Sequence, residues 1–263
     1  MQLNLAADSA SHKINKVPQI TVAFWIMKIT ATTLGETGGD WLSMTMDVGY
    51  LVSTAIFFSL FLIALGVQLF SKKHHPLLYW TVIVATSTAG TTMSDYMDRT
   101  LELGYAKGAA ILVSILLTLL GFWRLTVGNV SVDNIRTRKA EIFYWVTILF
   151  SNTLGTALGD FLADDSGLGF LGSWLLITGV LAVILAANYL TRINKIFLFW
   201  VAFILTRPFG ATFGDVLTKA PDHGGLDFGR GYSSLILLTI LLVVIGISYK
   251  NKKAHLIPAT EGP

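Results

Sequence analysis

Long apolar stretches alternate with short polar breaks along this chain, and the stretches are too long for the core elements of a soluble fold. Uncharged runs cover 48–70, 76–94, 142–159, 166–191 and 231–249, with a slightly shorter one at 108–123. Two more emerge where isolated charges are tolerated: 17–39, which contains Lys28 and Glu36, and 196–214, interrupted by Arg207. Crossing a hydrocarbon core of about 30 Å takes roughly 20 helical residues. Backbone groups cannot stay unpaired in lipid, so such runs are helices or barrel strands, and unbroken apolarity excludes barrel alternation. The pattern predicts an all-α membrane protein with eight transmembrane helices in a single domain over 18–250, flanked by a cytoplasmic N-terminal tail (1–17) and C-terminal tail (251–263).

The pattern also repeats. Trp, nine residues, Gly, four residues, Asp occurs four times in one register: Trp25, Gly35, Asp40; Trp80, Gly90, Asp95; Trp145, Gly155, Asp160; Trp200, Gly210, Asp215. Gly-aromatic pairs follow the Asp at nine and ten residues in three copies, as Gly49-Tyr50, Gly104-Tyr105 and Gly169-Phe170. The fourth copy reads Gly231-Tyr232, displaced by seven, which implies an insertion around 221–225. The repeats, about 18–72, 73–127, 138–192 and 193–250, are spaced as a twice-duplicated hairpin. Each copy starts with a helix running the same way, so the expectation is four tandem parallel helical hairpins, pseudo-symmetric about the membrane normal.

In these features the chain resembles a bacterial integral membrane protein family of unknown function, built from four tandem repeats of two transmembrane segments with a characteristic tryptophan. Trp25, Trp80, Trp145 and Trp200 carry the resemblance. It implies an architecture and no biochemical role.

Composition agrees with lipid: 53% of residues are hydrophobic and 13% charged, against about 25% charged in a soluble domain. Cysteine is absent, which excludes disulfides, thiolate catalysis and iron–sulfur clusters. The first sixteen residues lack the pattern of a cleaved signal peptide. With eight spans, thirteen basic residues fall on the side of the termini and four (Arg99, Lys107, Lys219 and Arg230) on the other. The positive-inside rule then puts both termini in the cytoplasm, with the bacterial inner membrane as the location. Acids show the opposite bias, since eleven of 16 lie at the outer ends or loops.

The motif supplies the candidate chemistry. At 100° per residue, one stripe of each odd helix carries Thr33, Thr37 and Asp40; Thr88, Thr92 and Asp95; Thr153 and Asp160; Thr212 and Asp215. Hydroxyls and carboxylates suit hard cations, and intramembrane acids normally face a cavity, a pathway or a counter-charge. Glu36 is a fifth acid, and Lys28 and Arg207 are candidate counter-ions, leaving a formal excess of three negative charges. The spacing of Gly35 with Gly39, Gly155 with Gly159 and Gly210 with Gly214, and of Gly90 with Ser94, suits close helix packing. A simpler reading makes the Asp residues helix-end caps after glycine. The Trp residues suit interfacial belts. His74 and His75 suit a solvated or headgroup-facing loop, and His223 alone makes no metal site.

The leading expectation is therefore a small-solute or hard-cation permease, proton-coupled through shared carboxylates, in the lipid bilayer and without nucleic acid or a recognised cofactor beyond a bound hard cation. A membrane-embedded enzyme and a non-catalytic sensor or assembly protein are the alternatives. No nucleophile-elbow, zinc-protease or phosphate-loop motif favours the enzyme, and oligomeric state is not legible.

Overall fold

The computed structural model describes residues 17–71, 75–132, 135 and 137–254. The tail segments 1–16 and 255–263, and the basic loop residues Lys72, Lys73 and His74, lie outside the described residues. Eight α-helices follow one another: α1 (Val22–Asp40), α2 (Tyr50–Phe70), α3 (Pro76–Asp95), α4 (Tyr105–Val127), α5 (Arg138–Asp160), α6 (Gly169–Leu190), α7 (Lys195–Thr218) and α8 (Arg230–Ala254). No strand occurs among the described residues. Six of the eight (α2, α4, α5, α6, α7 and α8) are long and apolar enough to cross a membrane.

Local chemistry sets the boundaries. Thr21, Thr137 and Asn194 accept backbone N–H bonds at the starts of α1, α5 and α7, and Pro76 opens α3. The even helices begin differently, after a turn in which two residues take positive φ. These are Asp47 and Gly49, Glu102 and Gly104, Gly167 and Gly169, and Asp227 and Gly229. The fourth-copy counterpart of Gly49 is thus Gly229, not Gly231, so the displacement is five residues rather than seven. Arg230 consequently occupies the place of Tyr50, Tyr105 and Phe170.

The first three odd helices do not stop at their Asp. Each continues into one π-helical turn, Trp41–Thr45, Tyr96–Thr100 or Phe161–Asp165, and the Asp side chain caps no backbone amide there. The capping reading therefore does not describe Asp40, Asp95 or Asp160.

The odd helices close a ring, α1 on α3, α3 on α5, α5 on α7 and α7 back on α1. The even helices surround it, but not as self-contained hairpins. Each packs chiefly on the odd helix of the following repeat: α2 on α3, α4 on α5, α6 on α7, and α8 on α1. Ring helices approach closely because the motif glycines admit neighbouring side chains. A Cβ at Gly35 would overlap Ser87, one at Gly155 would overlap Arg207, and one at Gly210 would overlap Thr32. At Gly90 it would stand 3.0 Å from both the Asn152 Cβ and the Thr153 amide. A turn further on, Gly39 meets Thr91 at 3.2 Å, Gly159 meets Ala211 at 3.2 Å and Gly214 meets Glu36 at 3.1 Å. Glycine n and the next repeat's side chain thus interlock in cyclic order.

At one end of the ring, the Trp end, Phe24, Tyr79, Tyr144, Trp80, Trp145 and Trp200 are buried, so three of the motif tryptophans are core residues and not an interfacial belt. The Tyr79 and Tyr144 hydroxyls share a hydrogen bond of 2.5 Å. The connection between the two halves seals this end with buried Val132 and Ile135, and its Val130 carbonyl accepts from Trp200 Nε1 at 2.9 Å. Leu62, Ile63, Leu117, Val183, Leu235 and Val243 of the even helices stay exposed. That apolar exterior is what lipid covers in a membrane bundle.

Candidate functional site

Arg207 stands where the four inner helices meet. Its NH2 donates to Glu36 Oε2 of α1 at 2.9 Å, to Thr156 Oγ1 of α5 at 2.7 Å and to Thr91 Oγ1 of α3, while NH1 reaches the Thr32 carbonyl at 3.5 Å. The guanidinium is fully buried and Glu36 nearly so. An ion pair withdrawn from water is tolerable only when most of its remaining valences are met, and here two threonine hydroxyls and the Thr32 carbonyl meet those of the two terminal nitrogens, while Nε is left without a hydrogen-bond partner. This cluster of buried side chains occupies the centre of the ring.

One turn toward the Trp end, Lys28 is also fully buried, and no carboxylate among the described residues pairs with it. Its ammonium lies 4.1 Å from the Phe203 ring centroid and has no hydrogen-bond partner. A cation desolvated over a ring face gains some compensation from the ring quadrupole. Of the two cations singled out from sequence, Arg207 is the counter-ion of Glu36, and Lys28 pairs with no acid among the described residues.

Toward the other end, Asp40, Asp95, Asp160 and Asp215 are all buried at about 2–3% exposure, one from each inner helix. Oxygens of Glu36, Asp160 and Asp215 lie within 4.8 Å of one another, a spacing from which one hard cation can take several carboxylate ligands. Each Asp also has a basic partner. Arg99 lies 3.1 Å from Asp95 and 3.4 Å from Asp160, Lys219 lies 3.3 Å from Asp215, and Arg230 lies 3.4 Å from Asp40. The excess of three negative charges is therefore overturned, since the five acids singled out from sequence face four cations, Arg99, Arg207, Lys219 and Arg230, and leave an excess of one among them. Burial alone would lower the Lys219 ammonium pKa, but the Asp215 and Asp40 carboxylates outweigh it and hold the group above the ordinary lysine value.

Sequence reading placed Arg99, Lys219 and Arg230 in outer loops and missed their role. The signal was there for two of them, because Asp95 with Arg99 and Asp215 with Lys219 are i,i+4 pairs. The threonine stripe is arranged differently from the carboxylates. Thr33, Thr88, Thr92, Thr153 and Thr212 donate to carbonyls of their own helices four residues back, at 2.9–3.2 Å. Thr37 accepts from Ser234 of α8 at 2.8 Å. The methyls of Thr92, Thr212 and Thr37 pack near Gly39, Gly159 and Gly214, at 3.4–3.6 Å from a built Cβ. The hydroxyls that reach the centre belong instead to Thr91 and Thr156, each one residue after the motif glycine position.

No curated protein matches the chain, and no solved structure does. A family model described as Repeat of Unknown Function (DUF347) matches it four times in succession, over residues 23–74, 78–129, 143–194 and 198–254. Each match contains one Trp, Gly and Asp of the motif and covers most of one odd helix with its even successor. The chain is a tandem array of four such repeats and belongs to the DUF347 family.

Proposed function

We propose that the protein is a cation permease of the bacterial inner membrane. It crosses the bilayer eight times with both termini in the cytoplasm, and the ring axis runs along the membrane normal. The Asp end faces outward, consistent with the thirteen-to-four distribution of basic residues. The observation that carries the reading is the convergence of Glu36, Asp160 and Asp215 from three helices into one buried carboxylate group. Basic side chains already face each of these acids, so a transported cation would enter by exchange with them or with a shared proton.

Arg207 and Glu36 close the centre, so passage requires that this pair open, and transport proceeds by gated exchange rather than through a standing pore. Shared protons on the acids make the exchange proton-coupled. The test is flux into proteoliposomes across a panel of monovalent and divalent cations at several pH values. Asp160→Asn and Asp215→Asn keep side-chain size and remove charge; both are expected to insert normally and to lose transport. Normal flux of every cation in both variants would overturn the reading.

A further inference from the structure

We infer that the Asp end contains a subsite for organic cations of the guanidinium and alkylammonium class, and that the Arg99 side chain is its tethered occupant. The inference rests on the permease reading and names its substrate class. The Arg99 guanidinium is held by carboxylates of two different helices, Nε 3.1 Å from Asp95 and NH2 3.4 Å from Asp160. Its NH1 reaches the Tyr50 hydroxyl at 3.4 Å, and its centre lies 5.9 Å from the Tyr50 ring and 5.6 Å from the Tyr105 ring. Paired carboxylates flanked by aromatic rings are how a planar organic cation is recognised. A bare metal ion would take the oxygens and gain little from the rings.

Two features separate this arrangement from an ordinary ion pair. The cage keeps an unused valence: Asp95 Oδ2 is buried without a hydrogen-bond partner on a side chain only 2% exposed. Arg99 itself is 30% exposed and stands on the π turn beyond α3, whereas Asp95 and Asp160 close their α-helices. The occupant can swing out while the cage remains. Two repeats on, in the same register, Lys219 pairs with Asp215 and lies 5.2 Å from the Phe170 ring, so an ammonium occupies the corresponding place across the ring. The other two repeats carry Met44 and Asp164 there.

The experiment uses methylguanidinium as probe on the full-length protein in detergent, with sodium chloride at matched ionic strength as reference. Binding is read by saturable change in aromatic fluorescence and by thermal shift. A resident side chain lowers apparent affinity by the fraction of time the site is free. Arg99→Ala is therefore expected to bind methylguanidinium about tenfold tighter than the unaltered protein. Adding Asp160→Asn or Tyr50→Leu to Arg99→Ala is expected to abolish that gain. Arg99→Gln, which removes charge but keeps a polar chain, replaces Arg99→Ala if the latter does not fold. Equal response to sodium and methylguanidinium, or a gain that survives Asp160→Asn, would overturn the subsite. Flux measured in parallel separates the two claims: inorganic cation flux without methylguanidinium binding removes only the subsite, and binding without flux of any cation removes only the permease.

Discussion

Single side chains carry unequal weight in this bundle. Arg207 is the extreme case, because its loss leaves Glu36 buried without a cation. Arg207→Met is expected to cost about 3–5 kcal/mol, while the double change Arg207→Met with Glu36→Gln recovers most of it. Thermal unfolding of the three proteins in one detergent checks this, and equal losses in the single and double variants would contradict it. Glycines divide the same way. Nothing lies within 4 Å of a Cβ built at Gly66 or Gly246, so alanine there is expected to be neutral or to stabilise the helix by up to about 1 kcal/mol. At Gly155 or Gly210 the added carbon runs into Arg207 or Thr32. Alanine at these positions is expected to lower folded yield sharply in size-exclusion profiles.

At the scale of elements, the eight helices were legible because each is a long apolar run between polar breaks, and the repeat was legible because Trp, Gly and Asp keep one register. The start of α8 was misread for a physical reason. Tyr232 drew attention to an aromatic, but the turn is defined by backbone sign, and Asp227-Phe228-Gly229 matches Asp47-Val48-Gly49 and Glu102-Leu103-Gly104 in its positive φ values. Gly104→Ala is accordingly expected to lose about 1–3 kcal/mol, because at φ 73° and ψ 150° the backbone lies in a region that glycine alone adopts readily. Glu102→Gly is expected to be tolerated, as Gly167 stands there in the third repeat. Denaturation midpoints of the two variants are the measurement. The site was half legible. Glu36, Arg207 and the four Asp emerged as buried charges in apolar runs. Thr91, Thr156 and the Arg99 cage did not, since a wheel centred on glycine cannot say which side of the helix faces the axis. The neighbour's side chain entering each glycine notch sets that direction, and it lies in another repeat.

For the molecule as a whole, connectivity and packing are out of step by one repeat, and the last helix returns to the first. A cut in the 128–137 connection therefore leaves two fragments that need each other, because α4 of the first half packs on α5 of the second and α8 packs on α1. Residues 1–132 and 133–263 expressed as separate chains are expected to co-purify as a folded complex. Either fragment alone is expected to aggregate or be degraded. Recovery of a monodisperse first half by itself would argue against the interlocked ring.

The cluster at the centre has a consequence for how such a ring is made at all. A closed assembly of four identical hairpins is bound by its own symmetry to put the same residue at every equivalent place, so an arginine in one would mean four like charges converging on the axis. Here the corresponding residues are Thr32, Ser87, Asn152 and Arg207, and one turn on they are Glu36, Thr91, Thr156 and Ala211. One guanidinium, one carboxylate and two hydroxyls complete each other only because the copies are joined in one chain and free to differ. Covalent linkage gives this fold an asymmetric centre inside a symmetric frame.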